Sequence, residues 1–314
     1  MESAAFPNAA MTDALTLSAG TALVQMSPRT GGAIAAFTFN GIDVMRRTPE
    51  SERATGNVRA HACYPLVPYS NRIAHATLRF AGRDYELDRN FGDHPHSIHG
   101  VGWQRPWQVV ARDDSTALLA LEHHASGPDA RAWPWPFRAA QAFSVRAHDG
   151  GATLTAKLSL VNTGDRPFPF GLGFHPFFPR GATTALDLDA DAFWENDDTQ
   201  MPIRSVALPA GWRRGILSAR RDQGIDNVFT GWRGAAMFTD PARPFDTGIV
   251  ADRSAAFVVV YTPPKGDFVA VEPVTHMTDA FNRAERAERD TGTRILPAGA
   301  GFSCTMQIFT SARP

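Results

Sequence analysis

The feature that most constrains this chain is an alternation of apolar and polar residues with period two. It is clearest from 152 to 160, where Ala152, Leu154, Ala156, Leu158 and Leu160 alternate with Thr153, Thr155, Lys157 and Ser159. Only an extended strand puts residues i, i+2 and i+4 on one face, so the run reads as a strand with one buried side. Phe143, Val145 and Ala147 repeat the pattern upstream, and Asp149-Gly150-Gly151 between the two runs is a turn signal, which predicts a hairpin. The same reasoning pairs Leu78 and Phe80 with Tyr85 and Leu87, and residues 107–111 with 117–121. Phe302, Cys304, Met306 and Ile308 form another alternating strand, and residues 257–261 are continuously apolar, as a strand covered on both faces requires. Helical periodicity is confined to 277–290, where polar residues predominate.

An all-β fold is therefore expected. Strands recur from residue 33 to residue 310 with no linker-like stretch, which predicts one large antiparallel β-sandwich forming a single domain over residues 1–314. With 43% hydrophobic and 20% charged residues the chain has the make-up of an ordinary globular protein. Thirty-one basic side chains against 32 acidic ones leave a net charge of −1, so no field draws it to nucleic acid or to an anionic membrane. Only Cys63 and Cys304 are present, too few for a disulfide framework, and Cys304 is expected to pack as a small hydrophobe. Glu2 and Asp13 stand where a secretory leader carries basic residues, and Pro7, Asn8 and Thr12 interrupt any apolar stretch, so a cytoplasmic protein is expected. No run approaches the ~18 apolar residues of a membrane span.

Pro and Gly concentrate in four stretches, 92–106, 127–136, 167–179 and 262–266, and loops of this kind on a rigid β scaffold commonly carry sites. The first holds His94, His96 and His99. A His-x-His pair can ligate metal, but no carboxylate follows at ligand spacing, so His94 and His96 are expected to be solvated loop residues and no metal is expected. His99, between Ile98 and Gly100, is expected to face a cleft. Four further segments set strong polar groups among aromatic or proline-stiffened backbone: Asn71-Arg72-Ile73, Phe174-His175-Pro176-Phe177-Phe178, Ile225-Asp226-Asn227-Val228-Phe229 and Val271-Glu272-Pro273. Glu272 is expected to end the apolar strand of residues 268–271, where a carboxylate is costly to bury unless it has a partner or a task.

Taken in order, these segments resemble the aldose 1-epimerase family, also called galactose mutarotases: Asn-Arg-Ile, about 25 residues to a hydrophobic-His-Gly, then His-Pro-aromatic-Phe, Asp-Asn-x-Phe and a strand leading to Glu-Pro. The resemblance covers roughly residues 30 to 310. It implies the galactose mutarotase-like supersandwich, a sugar held in an open groove, and interconversion of α and β anomers of a free aldose without cofactor or metal. By resemblance Glu272 is the general base for the C1 hydroxyl and His175 the general acid for the ring oxygen. Arg72, His99 and Asp226, with Asn71 beside Arg72, match residues that bind substrate. A carboxylate near ~4 and an imidazolium near ~6.5 suit these roles around neutral pH. Trp103, Trp107 or Phe177 are candidates to stack on the sugar. The expected partner is a small sugar, and the chain is expected to be a monomer or homodimer.

The chain departs from galactose-preferring members after His99-Gly100, after His175 and after Glu272-Pro273, which leaves the chemistry intact and the choice of sugar open. One alternative is a hexose-6-phosphate mutarotase, for which Arg105, Arg138 and Arg180 are candidate cations. Because no Lys/Arg cluster accompanies the motifs, free sugars are expected over their 6-phosphates. Another alternative is a sugar-binding protein without turnover, which predicts loss of Glu272 or His175, and both are present.

Overall fold

The computed structural model describes residues 11–313, so the reading of Glu2, Pro7 and Asn8 lies outside the described residues. Two antiparallel sheets of eight strands dominate. In the first the order is Gln108–Arg112, Thr116–His123, Phe137–His148, Gly151–Asn162, Gly301–Ala312, Phe245–Ala251, Ala235–Thr239 and Ala185–Leu188. The expected hairpin lies at its centre, with Phe143 opposite Ala156 and Val145 opposite Leu154. Ile308, Met306 and Cys304 of the last strand stand opposite Leu154, Ala156 and Leu158, so the three alternating runs combine into one apolar face. Cys304 is fully buried there, while Lys157 points to solvent.

The second sheet runs Pro202–Ala207, Ala192–Asn196, Ile225–Thr230, Phe257–Thr262, Phe268–Val274, Gly173–Phe174 and Pro65–Leu66, and Phe177–Pro179 also pairs with Phe268–Val274. Phe257–Thr262 is internal to it, and Phe257 to Val260 are buried, as a continuously apolar strand demands. The expected hairpins at Leu78↔Tyr85 and Val109↔Leu119 are formed, and the helix Ala280–Glu285 falls inside the one helical window. The fold is thus the all-β antiparallel supersandwich. Among the described residues no helix is long and apolar enough to cross a membrane.

One boundary differs from expectation. The strand Phe268–Val274 does not end at Glu272, which pairs opposite Val259, but runs on through Pro273, opposite Val258, to Val274. Glu272 is consequently fixed by a strand paired on both sides rather than by a loop. That placement limits its movement and explains how a carboxylate comes to sit in the interior.

Candidate active site

A cavity of about 1470 Å3 lies over the second sheet, and Asn71, Arg72, His99, His175, Asp226 and Glu272 all line it. Asp226 comes from Ile225–Thr230 and Glu272 from Phe268–Val274, while His175 occupies the short link between Gly173–Phe174 and Phe177–Pro179. Arg72 belongs to a two-residue strand that pairs with Ser97–Ile98, which delivers His99 beside it. Residues 200 apart in sequence thus converge because the two-stranded ribbon carrying Arg72 and delivering His99 meets the sheet that carries Asp226 and Glu272.

At the floor, His175 Nε2 lies 3.2 Å from Glu272 Oε1, with side chains only 8% and 3% exposed. His175 Nδ1 and Glu272 Oε2 are buried without a partner. Burial drives the imidazole down to about 3, reinforced by the charge of Arg46. Burial also pushes the Glu272 carboxyl well above the usual carboxylate range, the charge of Asp226 adding to the effect and Arg72 opposing it. Both shifts are larger than the sequence reading supposed, and they favour an uncharged pair sharing one proton over a separate carboxylate and imidazolium.

Asn71 and His99 build the wall. Both have positive φ, 56° and 62°. The His99 N–H donates to the Asn71 carbonyl at 2.9 Å, and the Asn71 N–H donates to His99 Nδ1 at 3.0 Å. With Nδ1 accepting, neutral His99 carries its proton on Nε2 and has a donor left for the cavity. Burial and the neighbouring His175 hold His99 well below the usual imidazole range, so it is neutral at pH 7. Gly100 makes this geometry possible: its φ is 69°, and a Cβ there would lie 2.4 Å from the Val67 carbonyl oxygen.

Arg72 Nη2 donates to Asp226 Oδ2 at 2.9 Å. The Asn71 Oδ1 accepts from both the Arg72 N–H and Nη1, so Asn71 orients Arg72. Arg72 Nε is buried without a partner. The pair therefore offers spare donor and acceptor capacity to a polyhydroxylated ligand.

Several expectations need correction. His96 is fully buried rather than solvated, and its Nδ1 accepts from the His75 N–H at 2.9 Å. His94 lines the cavity. Among the described residues no three His, Cys, Asp or Glu side chains converge as a metal-binding group. Trp103 and Trp107 are core residues whose indole N–H groups donate to the carbonyls of Gly100 and Gly102, because apolar burial outweighs display of these rings. Phe177 does line the cavity, stacked on His175 with centroids 4.5 Å apart. Of the arginines weighed for phosphate, Arg105 pairs with Asp129 and Arg138 with Glu122, while Arg180 is buried against Thr262 and the Leu217 carbonyl.

Sequence reasoning missed Tyr64, whose ring lies 4.6 Å from that of His175, and Tyr261, Arg46 and Arg59, which also line the cavity. Arg46 and Arg59 lie outside every motif in sequence and reach the cavity through the fold. Tyr64 carried one weak signal, its place just before the Pro65–Leu66 strand that leads to Asn71-Arg72.

Comparison with known proteins agrees with this geometry. The family model described as aldose 1-epimerase matches residues 13–308. The uncharacterized protein YphB of Escherichia coli K12 is 31% identical over 301 residues, covering 93% of this chain and 96% of that protein. A crystal structure from Escherichia coli K12, of a candidate aldose 1-epimerase, superposes with a TM-score of 0.83 at 26% identity, covering 96% of this chain and all of that one. A galactose mutarotase-like protein of Clostridium acetobutylicum shares the fold at a TM-score of 0.80 and 18% identity, over 96% of this chain and 95% of its own. Sequence, fold and the arrangement of the cavity lead to one conclusion: the chain belongs to the aldose 1-epimerase family.

Proposed function

We propose that the protein is an aldose 1-epimerase that interconverts the anomers of an aldose by general acid/base ring opening and closure. The observation that carries this reading is the contact of His175 Nε2 with Glu272 Oε1, 3.2 Å apart on the floor of a cavity whose walls hold spare hydroxyl-binding groups. The reaction moves two protons and one bond pair. Glu272 takes the proton of the C1 hydroxyl, the C1–O5 bond breaks with its electron pair going to O5, and O5 takes the proton from His175. The open-chain aldehyde rotates about C1–C2. Closure on the other face reverses both transfers, the O5 hydroxyl returning its proton to His175 and Glu272 returning its proton to O1, so the pair ends as it began and no cofactor is consumed.

The resting pair holds one proton, which burial favours on Glu272. For the assigned roles it must sit on His175 Nε2. The buried Oε2 of Glu272 has no partner and would accept a sugar hydroxyl, and such a bond to the charged form lowers a carboxyl's proton affinity. Substrate binding thereby arms the pair. Arg72, Asp226 and the Nε2–H of His99 would hold ring hydroxyls, and Asn71 keeps Arg72 in place.

The test is polarimetry of freshly dissolved α-anomers of glucose, galactose and other aldoses with the protein. Accelerated approach to anomeric equilibrium for at least one of them is expected. Binding of aldoses without acceleration of any would replace this reading with sugar binding alone.

A further inference from the structure

A tyrosine stands on either side of Pro65–Leu66, and their hydroxyls are treated differently. Tyr69 is fully buried, and its hydroxyl shares a 2.7 Å hydrogen bond with Ser97 Oγ. Tyr64 is buried to almost the same degree, 5% exposed, yet among the described residues its hydroxyl has no hydrogen-bond partner. A buried phenol ordinarily finds one. Unlike His175 Nδ1 and Glu272 Oε2, which also lack partners, that oxygen is not sealed from solvent. Tyr64 lines the cavity and Tyr69 does not, so the opening of the Tyr64 hydroxyl is towards the space a ligand fills.

The residue is held against the proposed acid. The His175 N–H donates to the Tyr64 carbonyl at 3.0 Å, and the two rings lie 4.6 Å apart at an interplanar angle of 39°. Among the described residues, the other rings packed on His175 are Phe177, which has no donor, and His99, whose centroid is farther away at 5.3 Å. Tyr64 thus carries the donor group nearest to the imidazole ring. Burial holds its phenol well above the usual range, the charge of Glu272 adding to the effect and those of Arg46 and Arg59 opposing it. The hydroxyl therefore keeps its proton and can donate a hydrogen bond, but it cannot serve as a base.

We infer that the Tyr64 hydroxyl donates a hydrogen bond to the ring oxygen of the sugar, O5, and stabilises it as the C1–O5 bond breaks. This inference rests on the aldose 1-epimerase reading and adds a third group to its chemistry. The bond pair of C1–O5 arrives on O5 while His175 delivers its proton there, so O5 carries more negative charge in the transition state than in the closed ring. A fixed donor aimed at that oxygen then binds the transition state more strongly than the bound sugar. No proton leaves Tyr64, and the balance of the reaction is unchanged.

The experiment follows anomerisation by the wild-type chain, Tyr64→Phe and Tyr64→Leu, using whichever of glucose, galactose and other aldoses the wild type accelerates most. Phenylalanine keeps the ring against His175 and removes only the oxygen. Because that oxygen has no partner in the protein, Tyr64→Phe should unfold in urea at the wild-type midpoint. Its kcat should fall by about tenfold or more, with KM changed by less than about threefold. The acidic limb of kcat/KM, which His175 sets, should stay in place. Tyr64→Leu, which also removes the ring, should lose at least as much. Wild-type kcat in Tyr64→Phe with a loss confined to Tyr64→Leu would make Tyr64 a packing residue and overturn the inference. A loss in KM alone would place the hydroxyl on an oxygen that does not react, and a shifted acidic limb or a lowered urea midpoint in Tyr64→Phe would make it a support for His175; each also overturns the inference while leaving anomerisation intact. Failure of the wild type to accelerate any aldose would remove the mutarotase reading and this inference together.

Discussion

Asn71 and His99 hold each other by two reciprocal hydrogen bonds while both occupy the left-handed region of backbone space, with φ of 56° and 62°. Such conformations are maintained only where surrounding structure over-determines them. Asn71→Gly and Asn71→Ala separate the backbone from the side chain at this position. Glycine keeps the positive φ without strain but removes the Oδ1 that orients Arg72, so a rise in KM with little change in stability is expected. Alanine should give the same rise and cost about 1–2 kcal/mol in addition. Equal stability of the two variants in urea unfolding would mean the left-handed backbone is not maintained.

Arg72→Ala and Asp226→Ala should each weaken substrate binding, because either change leaves its partner unpaired in a largely buried position as well as removing a hydroxyl contact. A loss of roughly 1–3 kcal/mol in kcat/KM is expected from each. The two losses should be far from additive, since the residues form one unit. Wild-type kinetics in both variants would place the sugar elsewhere.

Much of the fold was legible from the sequence because the period-two pattern of residues 152–160 and 302–308 has no helical reading. The site was legible in part. His175, Arg72, Asp226 and Glu272 are strong polar groups set among apolar neighbours, a local contradiction that marks either strain or function. What could not be read depends on the third dimension. The extension of a strand past Glu272 through Pro273 is decided by pairing with Phe257–Thr262, and no local signal announces it. The burial of Trp103, Trp107 and His96, and the arrival of Arg46, Arg59 and Tyr64 at the cavity, depend on contacts between distant segments. The direction in which burial moves Glu272 and His175 follows from their depth, which residue identity does not reveal.

Stability should fall on acidification. Burial holds His99 well below the usual imidazole range, His276 at about 4 and His175 at about 3. These groups stay neutral when folded and take up protons when unfolded, so the stability they contribute is complete above ~6.5 and is lost as pH falls towards the folded values. From pH 7 to pH 5 the loss is about 2 kcal/mol for each histidine that remains neutral. Glu272 and Asp279, both raised by burial, have the opposite sign but are outnumbered by the lowered histidines, which also include His61, His96 and His123. Urea midpoints at the two pH values check this, and an unchanged midpoint would contradict neutral burial of these rings.

The pH profile of kcat/KM should have its acidic limb well below the ordinary imidazole range and its alkaline limb above the ordinary carboxylate range. Protonation of His175 sets the acidic limb, and burial moves it well below 6.5. Loss of the last proton from the pair sets the alkaline limb, and burial of Glu272 moves it above the usual carboxylate range. Both limbs belong to the pair rather than to either residue. An acidic limb centred near ~6.5 would show an imidazole titrating as though exposed. Activity should also survive chelator treatment, since the proposed steps move protons alone; a large loss with EDTA restored by one divalent ion would contradict them.

The central claim is that Glu272 and His175 exchange protons with the sugar, and the most direct measurement is anomerisation by Glu272→Gln and His175→Asn in proteins shown to be folded and to bind sugar. Each substitution keeps approximate size and hydrogen-bonding capacity while removing a proton-transfer group, so a fall of about 10²–10⁴ in kcat is expected from either. Because one proton must leave O1 as another reaches O5, the double variant should lose far less than the product of the two single losses. Near-wild-type anomerisation by both folded, sugar-binding single variants would contradict the account.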